Sequence, residues 1–315
     1  MKIVTSFKAL AQEKLNIVYA LGTFDGIHKG HHAVIMKAVE KGQDLNAKTV
    51  VVTFDAHPFT ILHPQKAPKM LCQYEDKIAI LSKLGVDYML YLPMNEELLN
   101  CSAESFLDNL LTAGIVKAIV TGDNFTFGHK GKGNPDFIRS VVEGKTIEVV
   151  DLDLMTNDTI ACAVSSTQIR EAIKAGKMEL VTEMLGRPYS FVGKVIKGDQ
   201  RGRNLGFPTL NFLFPKELTL PPDGVYVNRV NIDGKWYEGV GNVGDNPTFE
   251  NQYHRTEVHI FNFDKTIYGQ LVRVEFLSFL RGEIKFNSLD ALIAQMEFDK
   301  KKAHEFFDSY ELHEA

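Results

Sequence analysis

Residues 22–32 read GTFDGIHKGHH, a run in which glycines alternate with an aspartate and three histidines. Imidazoles and backbone N–H groups donate hydrogen bonds, and glycines let a ligand come close to the backbone. Gly22, Gly26 and Gly30 with His28 and His31 therefore make a set suited to an anion. A phosphate is the natural guest where such a turn opens a helix, because the first helical turn offers unbonded N–H groups and a partial positive charge. His28 and His31 would then donate to phosphate oxygens as negative charge shifts between them in a transition state. Two other readings fit the same residues: a histidine metal cluster, for which Asp25 is the nearest acid, and a solvated loop.

A second set lies at residues 164–170, VSSTQIR. Ser165, Ser166 and Thr167 are good helix N-caps, and capping alone accounts for them in isolation. With Arg170 one turn further on, the same segment can hold a triphosphate through hydroxyls, N–H groups and a guanidinium.

The elements that must carry these sets show two textures. Up to about residue 185, apolar runs at 16–22, 48–54, 86–92, 116–122 and 146–152 alternate with helical patterns near 30–45, 74–84, 102–111, 134–142 and 166–185. Strands apolar on both faces and separated by helices predict a doubly wound α/β domain with a parallel sheet. The glycine turn leaves the first of those runs at its carboxyl end, where such sheets bind ligands. After LGRPYSF (185–191) the runs shorten and alternate, with turn signals at Asp223-Gly224 and Asp233-Gly234 and no room for crossover helices. That half predicts a small antiparallel β-barrel, followed by a helix carrying Leu289, Leu292, Ile293, Met296, Ala303 and Phe307 at helical spacing. The expected domains are residues 1–186 and 187–315.

Composition narrows the classes. The 315 residues carry a formal net charge of -5, which gives no general attraction for nucleic acid. No apolar run approaches the ~18 residues of a membrane span, and the first residues do not read as a secretory signal. A cytoplasmic protein without a membrane partner is expected. Three scattered cysteines, Cys72, Cys101 and Cys162, make neither a disulfide framework nor a thiolate zinc site. GVGNVG (239–244) fits a dinucleotide fingerprint but lacks a following helix, and EGKT (143–146) lacks the earlier glycine of a Walker loop.

H-x-G-H followed much later by S-S-T-x-I-R resembles the nucleotidyltransferase superfamily. Within it, FDGIHKGH, FDAHP (54–58) and GDNFTFG (122–128) are similar to the adenylyltransferase module of the prokaryotic bifunctional riboflavin kinase/FAD synthetases. LGRPYSFVGKVIKGDQRGRNLGFPTLNF (185–212), GVYV, GVGNVGDNPTF, EVHIFNFDKTIYG and VEFLSFLRGEIKF resemble their riboflavin kinase module in order. The resemblance covers nearly the whole chain. One departure is Ala56, where a proline is common in the F-D-P-H-P form.

The resemblance implies two ATP-dependent reactions with riboflavin, FMN and ATP as substrates and Mg²⁺ as cofactor. In the first domain, the FMN phosphate would attack the α-phosphate of ATP and release pyrophosphate. His28, His31, Ser165, Ser166, Thr167 and Arg170 would bind and stabilise phosphates, Gly22, Phe24, Asp25 and Gly30 would belong to the substrate- and nucleotide-binding site, and Asn124 and His57 would orient the reacting groups. In the barrel, the γ-phosphoryl group would pass to the ribityl hydroxyl of riboflavin. There the resemblance implies Thr209 and Asn211 as Mg²⁺ ligands and Glu257 as the general base. Gly193, Gly198, Arg201, Gly202 and Arg203 would form a phosphate loop, and Glu275 and Arg281 would contact the flavin. An enzyme with one live site, a flavin- or RNA-binding protein on the same folds, and an aminoacyl-tRNA synthetase relative are the alternatives. Intact Thr209, Asn211 and Glu257, the acidic balance, and the lack of a K-M-S-K-S loop speak against each in turn.

Overall fold

The computed structural model describes residues 1–152, 164–198, 202, 205–245 and 254–310. Its residues form two compact units, one of 1–68 with 74–165 and the other of 69–73 with 166–315.

The first unit is built on β1 (Lys2–Val4), β2 (Asn16–Leu21), β3 (Lys48–Phe54), β4 (Tyr88–Leu92), β5 (Ile115–Gly122) and β6 (Glu148–Leu152). They pair in the order β1-β4-β3-β2-β5-β6, all parallel. The helices are α1 (Phe7–Ala11), α2 (Lys29–Asp44), α3 (Phe59–Leu62), α4 (Tyr74–Lys83), α5 (Glu96–Asn100), α6 (Ala103–Thr112) and α7 (Pro135–Val142). Each face of the sheet has its own core. Tyr19, Val50, Leu90 and Ile119 pack with Phe106, Leu107 and Leu110 of α6 on one side. Val18, Val51, Met89 and Val120 pack with Ile35 and Ala38 of α2 and Leu81 of α4 on the other. Burial on both faces is why these strands read as unbroken apolar runs. The strand order reverses at β2, which lies between β3 and β5, so the turns after these three strands meet at the crevice favoured by ligands in such sheets.

The second unit begins with α8 (Ser166–Lys174) and α9 (Met178–Leu185). It continues with β7 (Tyr189–Lys194), β8 (Leu210–Leu213), β9 (Gly224–Ile232), β10 (Lys235–Asp245), β11 (His254–Ile260) and β12 (Leu271–Arg281), and a long helix, Leu289–Ser309. The strands pair antiparallel in the order β7-β12-β9-β10-β11-β8. Past the end of β7, the Ile196 N–H donates to Asn211 O of β8 at 2.8 Å, so the two edges of the curled sheet come together. Tyr189, Phe191, Phe212, Phe214, Tyr226 and Phe276 fill the interior. This is the antiparallel half-barrel with a terminal helix that the second texture predicts.

Residues 166–185, expected as one helix of the first half, are two helices of the second unit. The break falls at Gly176, whose φ is +72° and where a Cβ would stand 3.3 Å from the Phe279 ring. α9 packs on β7 and β12, and Gly186 ends it in the left-handed conformation with its N–H on Thr182 O at 2.8 Å. Residues 69–73 join the same unit. Met70 pairs with Leu218, and the Gln73 side chain both accepts from Val192 N at 2.7 Å and donates to Val192 O at 3.2 Å.

Candidate functional site

In the first unit the turn after β2 is held in an unusual backbone shape. Phe24, Gly26 and Ile27 have φ of 46°, 81° and 41°, and the side chains of Phe24 and Ile27 are locked in the core against α2. Left-handed conformations at bulky residues persist only where packing over-determines them, and they concentrate at functional sites. Gly22 is required by the same packing, since a Cβ there would lie 2.7 Å from the Phe24 ring.

His28 is the N-cap of α2, its Nδ1 accepting from the His31 N–H at 3.4 Å. An imidazole that accepts at Nδ1 carries its proton at Nε2, where it is a donor. His31, one turn into the helix, stacks on His28 with ring centroids 3.7 Å apart and meets the Phe24 ring edge-on at 5.2 Å. Its Nδ1 is buried without a hydrogen-bond partner. Burial first, then the neighbouring His28 and the Lys77 ammonium, hold the His31 imidazole well below the ordinary 6.5, so it is neutral near pH 7. No acidic residue lies in the first turn of α2 to compete with an anion, and Gly30 is buried within that turn.

His57 follows β3, with its Nδ1 accepting from Phe59 N at 3.1 Å. Asn124 is exposed in the turn after β5, and Asp25 is half-buried in the glycine turn. The fold thus gathers His28, His31, His57 and Asn124 at one edge of the sheet. The S-S-T-x-I-R segment is divided, with Ser165 in the first unit and Ser166, Thr167 and Arg170 in the second. Arg170 Nε donates to Lys69 O at 2.6 Å.

In the second unit Glu257 of β11 lies opposite Asn211 of β8 in register. Thr209 Oγ1 is 3.4 Å from Glu257 Oε2 and accepts from Asn211 Nδ2 at 3.2 Å. Asn211 Oδ1 is buried and has no hydrogen-bond partner among the described residues. Gly198 covers this amide so closely that a Cβ would come 2.3 Å from Oδ1. Two cavities meet at Thr209, which lines both. One, of 320 Å³, is bounded by Gly198, Asn211, Asp264, Lys265 and Tyr268. The other, of 520 Å³, is bounded by Glu257, His259, Arg281, Phe286 and Met296. Pockets of this size accept drug-sized ligands.

Arg281 lines the larger cavity while making a forked ion pair with Asp299 of the long helix, 2.7 Å at its shortest. Glu275, expected at the flavin, is instead buried in an ion pair with Arg229 at 2.8 Å and lines neither cavity. Burial raises its pKa despite the guanidinium. Gly193, expected in the phosphate loop, sits inside β7, where a Cβ would come 2.8 Å from Phe191. Gly202 accepts from Leu205 N and Phe207 N, while Arg201 and Arg203 lie outside the described residues.

Two residues near these sites escape sequence reasoning. Lys77 looks like an ordinary position on an amphipathic helix, yet it is 1% exposed and acts on His31. His259, within the E-x-H-I pattern, places Nδ1 2.9 Å from Pro208 O and so braces the approach to Thr209. The alternation of β11, which puts 257 and 259 on one face, is the signal that could have found it.

Two family models match the chain: FAD synthetase over residues 10–168 and riboflavin kinase over 185–307. Curated relatives described as bifunctional riboflavin kinase/FMN adenylyltransferase are 37% identical in Listeria monocytogenes, covering 94% of each chain, and 34% identical in Bacillus subtilis, covering 95% of each. The relative of the same description from Escherichia coli is 32% identical over 98% of each. Among solved structures, a Streptococcus pneumoniae chain described as a macrolide-efflux protein superposes with a TM-score of 0.86 at 30% identity, covering 96% of this chain and 98% of that one. Among the described residues of the present chain, no helix is long and apolar enough to cross a membrane.

Proposed function

Because the chain belongs to the bifunctional riboflavin kinase/FMN adenylyltransferase family, we propose that its two sites divide the family's two reactions. The second unit phosphorylates riboflavin to FMN, and the glycine turn of the first unit serves the adenylylation of FMN to FAD. The observation that carries this reading is the meeting of two cavities at Thr209, with Glu257 3.4 Å from its hydroxyl. One cavity takes the nucleotide and the other the flavin, so the phosphoryl donor and the accepting hydroxyl meet at that wall.

Glu257 is the general base for the ribityl hydroxyl. Thr209 and Asn211 fit a hard cation, because Asn211 presents a buried amide oxygen that no donor among the described residues satisfies and Thr209 adds a hydroxyl beside it. Bound there, Mg²⁺ would neutralise charge on the transferring phosphates. His259 keeps the Pro208–Thr209 backbone in place through its Nδ1, and burial holds its pKa low, so the ring stays a neutral donor near pH 7.

In the first unit a phosphate monoester is already nucleophilic near neutral pH, so alignment and charge stabilisation suffice. The α2 N-terminus and His28 Nε2 supply donors, and neutral His31 faces the same anion. His57 and Asn124 orient the reacting groups from the flanking turns. Since both reactions consume ATP, the protein works in the cytoplasm. Purified protein with riboflavin, ATP and Mg²⁺ should yield FMN and then FAD when the flavins are separated over time. Formation of neither overturns the reading.

A further inference from the structure

We propose that Lys77 is a positioning residue for adenylyl transfer: from beneath the glycine turn it fixes the Thr23 carbonyl and sets the field in which His31 meets the phosphate. This rests on the assignment of adenylylation to the His28–His31 turn.

Lys77 projects from α4 into the first unit and ranks with the largest fully buried side chains. A lysine ammonium taken out of water is costly unless it is hydrogen-bonded. Its Nζ donates to Thr53 Oγ1 at 3.2 Å and lies 3.4 Å from Thr23 O. Thr53 Oγ1 in turn donates to Thr23 O at 2.7 Å. The three groups form a closed triangle that ties the end of β3 and the body of α4 to the residue just before Phe24. Phe24 is the ring on which both Gly22 and His31 rest. A shift of Thr23 therefore moves the platform of the imidazole. A neutral donor could make these two bonds as well, and what the ammonium adds beside them is a positive charge.

That charge bears on His31. The titratable groups facing it are His28 from its own turn and Lys77 from α4, and behind Lys77 stands the Tyr91 ring of β4, its centroid 5.9 Å from Nζ. Burial, His28 and the Lys77 ammonium all oppose a second proton on His31. The site is thus kept with a neutral imidazole above a fixed positive charge. The approaching triphosphate meets a positive potential that is already in place and does not depend on protonating the ring.

The test uses the full-length protein, whose riboflavin kinase rate reports on folding of the second unit. Circular dichroism and the thermal melt report on the first. Lys77→Met should lower FMN adenylylation 10- to 100-fold, leave riboflavin phosphorylation within twofold, and move the His31 titration, read from imidazole NMR signals, to higher pH. The acidic limb of the adenylylation pH profile should move with it. Thr53→Val, which opens the triangle but keeps the charge, should reduce the rate less and leave the His31 titration in place. If Lys77→Met does not fold, the unmodified chain still decides: His31 must remain neutral well below pH 6.5, and titration at or above that value overturns the proposal. A folded Lys77→Met protein with unchanged pH profile and His31 titration overturns it too. His31→Ala separates the two readings. If that variant still makes FAD from FMN, the site assignment itself fails. If it does not, while Lys77→Met adenylylates normally, only the role of Lys77 fails.

Discussion

Substituting His31 by alanine removes the stacked partner of His28 and the ring over Phe24 while leaving the second unit untouched. FAD formation from FMN should stop while riboflavin phosphorylation continues within twofold, which separate flavin assays on one preparation will check. Glu257→Gln keeps the shape of the side chain and its contact with Thr209 but loses the proton acceptor. FMN formation should slow by ~10²–10⁴, with added FMN still adenylylated at the normal rate. His31 also links pH to stability. Its pKa lies low in the folded chain and near 6.5 when unfolded, so below about 6.5 the unfolded state binds more protons. The contribution of the neutral ring is full above that pH and is lost as pH falls through the folded-state value. Thermal melts of the first unit should shift down between pH 7.5 and 5.5, and His31→Gln should flatten that dependence.

At the level of elements, Gly198 makes a sharper test than the polar residues around it. Gly198→Ala must displace the Asn211 amide, since the new Cβ would overlap it, and should raise the Mg²⁺ and ATP concentrations needed for half-maximal kinase rate. An unchanged dependence on both would remove Asn211 from the cation site. The main elements were legible because their physics is local. β2 and β3 announce themselves by apolar residues on both faces, and the Asp-Gly signal at 233–234 marks the β9–β10 hairpin. Lys2–Val4 was too short to register as a strand, and only its pairing with β4 makes it one. The 166–185 stretch reads as one helix because Gly176 sets its break through a ring over a hundred residues away. The same holds at the sites. His28, His31, Thr209 and Glu257 carry motif spacing, whereas the burial of Lys77 and the pairing of Glu275 with Arg229 are properties of packing that no spacing encodes.

For the molecule as a whole, the position of α9 decides how the kinase unit can be isolated. Met178, Val181, Met184 and Leu185 are buried on this helix, each worth about 1.5–3 kcal/mol when fully buried. Their sum is comparable with the roughly 5–15 kcal/mol stability of a whole domain. A fragment of residues 187–315 should therefore unfold at markedly lower urea than one of residues 166–315, and only the longer should make FMN at a rate near that of the intact protein. Equal urea midpoints would show that α9 contributes little. Even the longer fragment lacks residues 69–73, whose Gln73 amide satisfies both backbone groups of Val192 on an edge strand. The two activities are thus interleaved in the gene: a single breakpoint anywhere downstream of codon 73 hands the adenylyltransferase product a short segment belonging to the kinase. A lineage that split them by fission would have to cover the bared strand edge anew, with a lysine, a proline or a replacement segment at Val192.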